Sequence, residues 1–127
     1  FGDNLGYAVV SLFPANSRGS FSPDASYYDG PLPANQMKFI DGTPKFAVEV
    51  RSENDYGPAK DRDYADKRRD YFFAGTEVVW DVDPLAKTVA RYTAADPLTD
   101  VVFRRGEVAD AEPALPGWRL PVDDIFA

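Results

Sequence analysis

Lys45-Phe46-Ala47-Val48-Glu49-Val50-Arg51-Ser52 is the stretch on which the fold turns. It is rich in apolar and β-branched residues and free of Gly and Pro, as a buried strand requires. Shortly after it, Ala59 to Ala74 reads as the one convincing helix of the chain. Tyr64, Lys67, Tyr71 and Ala74 recur there at spacings of three and four, so they share a face. Gly75 stands where a glycine past the last turn stops a helix. Glu77 to Val82 is then a second strand. Strand, helix and strand in this order imply a parallel crossover.

Working outward, Leu5 to Phe13 reads as a strand and Pro14 to Ser20 as a loop. Phe21 to Tyr28 reads as a short strand with Pro23 at its entry, where a missing N–H is tolerated. Asp29 to Thr43 is turn-rich, with a brief element expected over Met37 to Ile40. Lys87 to Tyr92 is the expected hairpin partner of Glu77–Val82, and Asp100 to Arg104 is a further short strand. The tail from Pro113 is expected to dock through Leu120, Val122, Ile125 and Phe126, with a helical turn over Val122 to Phe126. The expected fold class is α/β: a single domain over residues 1–127, built on a mixed sheet with one main crossover helix.

Composition narrows the chemistry. The 127 residues contain no cysteine and no histidine. Thiol nucleophiles, disulfides, zinc sites built on Cys or His, and Ser-His-Asp catalysis are therefore excluded within the chain. Acid–base work falls to Asp, Glu, Lys, Tyr or water, and any metal must be a hard, oxygen-liking cation. The net charge of −7 argues mildly against a general nucleic-acid coat. No apolar stretch approaches the ~20 residues that span a bilayer, so no membrane partner is expected, and a cytoplasmic setting fits the absence of cysteine.

A carboxylate inside a buried strand needs a cation. In Val48-Glu49-Val50-Arg51, alternation places Glu49 and Arg51 on one face near the C-terminal end of the strand. Asp24, in the pair Pro23-Asp24, reaches the same edge if its strand pairs beside Lys45–Ser52, and the crossover helix can return Lys67 to it. Asp24 and Glu49, helped by the backbone carbonyl of Val50, suit magnesium or manganese, with Lys67 beside a transferring phosphoryl group. The plainer alternative makes Glu49 a structural ion pair with Arg51 or Lys67 and leaves Asp24 as a turn residue. Ser52 is a helix-side cap or a supporting donor. Lys67-Arg68-Arg69 is offset by Asp61, Asp63, Asp66 and Asp70, which favours a solvated, ion-paired helix face. Tyr71, Phe72, Phe73 and Trp80 are expected in the core, with Asp81 and Asp83 as strand-end and turn residues.

Four strings occur in order: Ser22-Pro23-Asp24, Phe46-Ala47-Val48-Glu49-Val50-Arg51-Ser52, Ala65-Asp66-Lys67-Arg68-Arg69-Asp70-Tyr71, and Gly75-Thr76-Glu77-Val78-Val79-Trp80-Asp81-Val82-Asp83-Pro84. With the tail Leu115-Pro116-Gly117-Trp118-Arg119-Leu120, they resemble the Uma-two family, bacterial proteins grouped with restriction endonucleases in the PD-(D/E)XK nuclease superfamily. The resemblance implies a restriction-endonuclease-like core and Mg- or Mn-dependent hydrolysis of DNA phosphodiesters. It implies Asp24 and Glu49 as metal ligands with Val50, Lys67 as the catalytic lysine, and Arg51 and Ser52 on the substrate side. A homodimer is compatible with that chemistry. Arg51 stands where the superfamily's E-x-K carries lysine; it cannot act as a base but can clamp a phosphate. Family members carry a further segment ahead of the region matched by Phe1, so a chain truncated at its N-terminus is expected. A catalytically degenerate nuclease fold serving as a DNA- or protein-binding module is the alternative, and a β-rich carbohydrate- or protein-binding domain using its tyrosines is a third reading.

Overall fold

The computed structural model describes residues 2–3, 7–8, 20–21, 23–28, 40–41 and 43–126. Its elements are β1 (Gly2–Asp3), β2 (Tyr7–Ala8), β3 (Ser20–Phe21), β4 (Ala25–Tyr27), β5 (Ile40–Asp41), β6 (Phe46–Val50), α1 (Pro58–Ala74), β7 (Val78–Asp83), β8 (Thr88–Thr93), β9 (Asp96–Phe103), β10 (Val108–Asp110), β11 (Arg119–Pro121) and α2 (Val122–Ile125). The main sheet has six strands in the order β1-β4-β6-β7-β8-β9. β6 and β7 pair in parallel, Phe46 opposite Val78 through Val50 opposite Val82, and α1 makes the crossover between them. The flanking pairs β4–β6, β7–β8 and β8–β9 are antiparallel. The expected mixed α/β fold is therefore present.

Element boundaries differ from the sequence reading in informative ways. The strand expected over Phe21 to Tyr28 is interrupted: β3 joins a separate three-stranded sheet with β2 and β5, while β4 enters the main sheet. Pro23 lies between the two, buried and without an N–H to place in a ladder. Strand β9 begins four residues before Asp100, because register with β8 shifts between Arg91 and Thr93 and lengthens the outer strand. The short β10–β11 pair is not among the expected strands. Of the strand expected over Leu5 to Phe13 only Tyr7–Ala8 is described. Of the brief element expected over Met37 to Ile40 only Ile40 is described, as the start of β5; positions 37–39 lie outside the described residues.

Alternation along β6 and β7 gives the sheet two different faces. On one, Phe46, Val78, Trp80 and Val82 join Val89, Ala109, Ala111, Ala114 and Val122 in the larger core. Trp118, Leu120, Ile125 and Phe126 pack against it, so the tail docks as expected. Trp80 meets Phe46 edge-on at 5.1 Å and Trp118 at 5.4 Å between ring centroids. Its indole N–H donates to the carbonyl of Asp110 at 2.9 Å, which ties β10 to the sheet.

The other face lies under α1. Among the described residues its apolar part is small: Ala47, Tyr71 and Val79 are buried together, with Tyr28, Phe72 and Ala74 against them. Phe73, expected in the core, is 47% exposed, because the helix turns it away from the sheet. Gly57 precedes the helix and Pro58 starts it, where a missing N–H costs nothing. Gly75 ends it at φ 114°.

The rest of this face is charged. Asp81 is a buried mid-strand residue, not the strand-end residue expected, and sits opposite Glu49 across the parallel pair. Arg51 binds it in a fork, Nε to Oδ1 and Nη2 to Oδ2, each at 3.1 Å. Arg68 reaches the same Oδ2 at 3.4 Å and stacks on Tyr92 at 3.9 Å. The basic run on α1 is thus split. Lys67 and Arg68 point to the sheet, and Arg69 alone pairs with its helix neighbours Asp66 and Asp70.

Replacing Asp81 with Ala removes the fork from Arg51, which keeps Asp61, and takes from Arg68 its carboxylate on the sheet. The expected loss is about 3 kcal/mol in urea unfolding, the range for breaking a buried ion pair. A loss below about 1 kcal/mol, the range of surface pairs, would show that the pairs on Asp81, Arg68 of α1 included, do not hold the helix to the sheet.

Candidate active site

Glu49 is the fourth of the five residues of β6 and turns toward α1. One of its oxygens, Oε1, accepts two hydrogen bonds. The Tyr71 hydroxyl donates at 2.7 Å and the Lys67 ammonium lies at 2.7 Å. Lys67 and Tyr71 are one turn apart on α1, so a single helix face delivers both donors. Burial pushes the Glu49 carboxyl above the usual 4.5; the bond and charge of Lys67 and the bond from Tyr71 oppose that rise, and the charge of Asp24 adds to it.

Asp24 precedes β4 and is bound to β6 from both sides of Glu49. Its amide donates to the Val48 carbonyl at 3.0 Å. Its Oδ2 accepts the Val50 amide at 2.7 Å. The structure therefore brings Asp24, Glu49, Val50 and Lys67 to one sheet edge. Among the described residues, no hydrogen bond reaches Glu49 Oε2 or Asp24 Oδ1. These two oxygens are hard donors of the kind magnesium and manganese take. The described residues hold no group of three or more Asp, Glu, His or Cys side chains fit to bind a metal. A two-carboxylate set fits an ion that keeps several waters and gains further ligands from substrate phosphate.

Arg51 and Ser52 lie at the same end of β6 but are engaged. Besides the fork on Asp81, Arg51 Nη1 donates to Asp61 Oδ1 at 2.7 Å and to the Asp55 carbonyl at 2.9 Å. Its guanidinium stacks on Tyr64 at 4.5 Å. The hydrogen bonds to Asp81 push its pKa further above the ordinary value, so it stays charged. Ser52 donates both its amide and its hydroxyl to Asp55 Oδ2, each at 2.8 Å. That turn carries the chain from β6 to α1, and the Tyr64 hydroxyl supports it at 3.1 Å. Asp55, Lys60, Asp63, Tyr64 and Lys67 line a recess of about 170 Å³ beside the Glu49–Lys67 pair.

A larger cavity of about 460 Å³ lies on the opposite face, among Phe46, Val48, Val50, Trp80 and Trp118. Its walls are apolar and carry no group able to move a proton, so it is not the reactive site.

Two contributors were not legible as such in the sequence. Tyr71 reads as core, and its ring is core; its hydroxyl is what holds Glu49. The available signal was its four-residue spacing from Lys67, together with the need of a buried phenol for a partner. Asp81 gave no such signal, because its role depends on strand register.

No curated protein matches the chain by sequence. A crystal structure described as a putative nuclease belonging to DUF820 from Anabaena variabilis ATCC 29413 superposes with a TM-score of 0.65 at 20% identity. The match covers 98% of this chain and 66% of that one, so the chain spans about two thirds of that protein's length. At this identity the likeness is one of fold. A family model described as "Uma2: Putative restriction endonuclease" matches residues 2–123, and the chain belongs to that family.

Proposed function

We propose that this sheet edge is the metal-dependent centre of a nuclease that hydrolyses DNA phosphodiester bonds. The observation that carries the reading is the state of Glu49. One oxygen is fixed by Lys67 and Tyr71, the other accepts no hydrogen bond from the described residues, and the charge of Asp24 acts on the same carboxyl. Asp24 Oδ1 and Glu49 Oε2 would hold the ion, with the Val50 carbonyl as a further oxygen. When bound, magnesium or manganese supplies a water of lowered pKa and charge stabilisation at the phosphoryl group.

The chain's own residues do the rest. Lys67 holds a positive charge next to Glu49, where it hydrogen-bonds a nonbridging phosphate oxygen as negative charge builds during attack by water. Water forms the new P–O bond and releases a proton to solvent, the bond to the leaving sugar oxygen breaks, and the leaving oxygen takes a proton from solvent. Arg51 holds the strand end, and to clamp a phosphate it would have to release Asp61 or Asp81. Ser52 lies at the exposed rim on the substrate side. A second reading, a degenerate nuclease fold that binds DNA or protein without cutting, is favoured by Arg51 in the lysine position with its donors committed.

Glu49→Gln keeps an oxygen for Lys67 and Tyr71 but removes the charge. Manganese binding by titration calorimetry should be lost, and cleavage by the full protein should fall at least about 100-fold. Lys67→Met should lower cleavage by a similar factor while manganese still binds. Manganese binding by Glu49→Gln at wild-type affinity would sink the site. Retained metal binding without cleavage under any condition would move the binding-module reading ahead.

The pH dependence follows from the raised Glu49 pKa. Protons compete with the ion, so manganese affinity should decline on acidification from a pH above 4.5. In the metal-free protein the sign reverses. The neutral carboxyl suits the buried position, so this contribution to stability is present below 4.5 and is lost as pH rises through the raised value. Thermal unfolding across that window should lose this component in Glu49→Gln; an unchanged profile would show that another group sets it.

A further inference from the structure

We infer that the face of α1 carrying Lys60, Tyr64 and Lys67 is a track for one DNA strand, on which Lys60 holds a backbone phosphate flanking the one attacked. The inference rests on the proposed nuclease reading and adds how its substrate is seated. Lys60, Tyr64, Lys67 and Tyr71 recur at spacings of four, three and four, so they form one stripe along the helix. The stripe changes character along its length. Tyr71 is fully buried, Lys67 and Tyr64 are partly exposed, and Lys60 is exposed. It therefore leads from the Glu49 carboxyl outward to solvent, as a path for a polymer must.

Lys60 is distinguished by its free charge. Of the other cations on α1, Lys67 pairs with Glu49, Arg68 with Asp81, and Arg69 with Asp66 and Asp70. Among the described residues, the side chains of Lys60 and Arg62 alone on this helix have neither an ion pair nor a hydrogen bond. Lys60 lines the recess of about 170 Å³ that also holds Lys67, whereas Arg62, two residues on, belongs to the other side of the helix. The net charge of −7 repels DNA over the surface as a whole, so attraction falls to cations that are free and close to the site.

Two acids share the recess. Asp55 Oδ2 is taken up by the Ser52 amide and hydroxyl and by the Tyr64 hydroxyl, so it braces the wall. Asp63 has neither an ion pair nor a hydrogen bond among the described residues, and its charge opposes an incoming phosphate. Seven residues of helix separate Lys60 from Lys67, a rise of about 10 Å. Each strand of B-DNA carries one phosphate per about 3.4 Å of axis. Lys60 thus falls about three phosphates from the one at Lys67. It touches no reacting atom and is a positioning residue, with its effect on binding.

The test is fluorescence anisotropy of a labelled DNA duplex against salt concentration, in EDTA, with the wild type and with Glu49→Gln, neither of which cleaves under these conditions. Added to either protein, Lys60→Gln should weaken binding and make the slope of log affinity against log salt shallower by about 0.9, the value of one phosphate contact. Asp63→Asn should act in the opposite sense and tighten binding about twofold, the scale of an exposed charge contact. Arg62→Gln makes the same charge change as Lys60→Gln on the other side of the helix, and should leave the slope as it is. An unchanged slope in Lys60→Gln, or an equal change in Arg62→Gln, would overturn the track while leaving the nuclease reading in place. Absence of DNA binding by both the wild type and Glu49→Gln at low salt would remove that reading and the track with it.

Discussion

A row of charges buried between α1 and the sheet constrains everything around it. Glu49 on β6, Arg51 just past its end and Asp81 on β7 all face the helix. None can be left unpaired there without a cost of several kcal/mol. The helix answers with Asp61, Lys67, Arg68 and Tyr71. Among the described residues the apolar cluster under α1 is small, and the charges that must meet help to set its position along the sheet. Docking the helix and assembling the site are for that reason one event.

The opposite face supplies what the charged face lacks. Phe46, Trp80 and Trp118 form an aromatic cluster, and the C-terminal segment seals it. Strand alternation divides the labour residue by residue: Val48 turns to the apolar side and Glu49 to the polar side. Rigid packing behind β6 keeps Glu49 in one place while its charge is exposed to Asp24, Lys67 and Tyr71.

The arginine at position 51 acquires a physical explanation. Only a planar guanidinium can bind both oxygens of Asp81 while also reaching Asp61. A lysine there would make one contact and leave Asp81 with less compensation. The strand position thus serves as a staple, and the ammonium at Glu49 comes from the helix instead. The chain belongs to the Uma2 family and shares its fold with a DUF820 protein.

Local pattern made much of this protein legible. The run Phe46 to Val50 is apolar enough to be a central strand, the spacing after Pro58 is helical, Gly75 ends the helix, and the order strand–helix–strand forces a parallel pair. The same pattern put Asp24, Glu49 and Lys67 within reach of one edge, because alternation and helical period are fixed by backbone geometry. What it left open depends on register and on the docking of α1. Asp81 reads as a strand-end residue until β7 is aligned with β6, and Tyr71 reads as core until its hydroxyl is seen at Glu49. Phe73 reads as buried beside Tyr71, yet faces outward, because the helix has no continuous apolar stripe to orient it. A sequence determines which groups are carried on each face of an element; only the tertiary fold decides which of them share a buried charge.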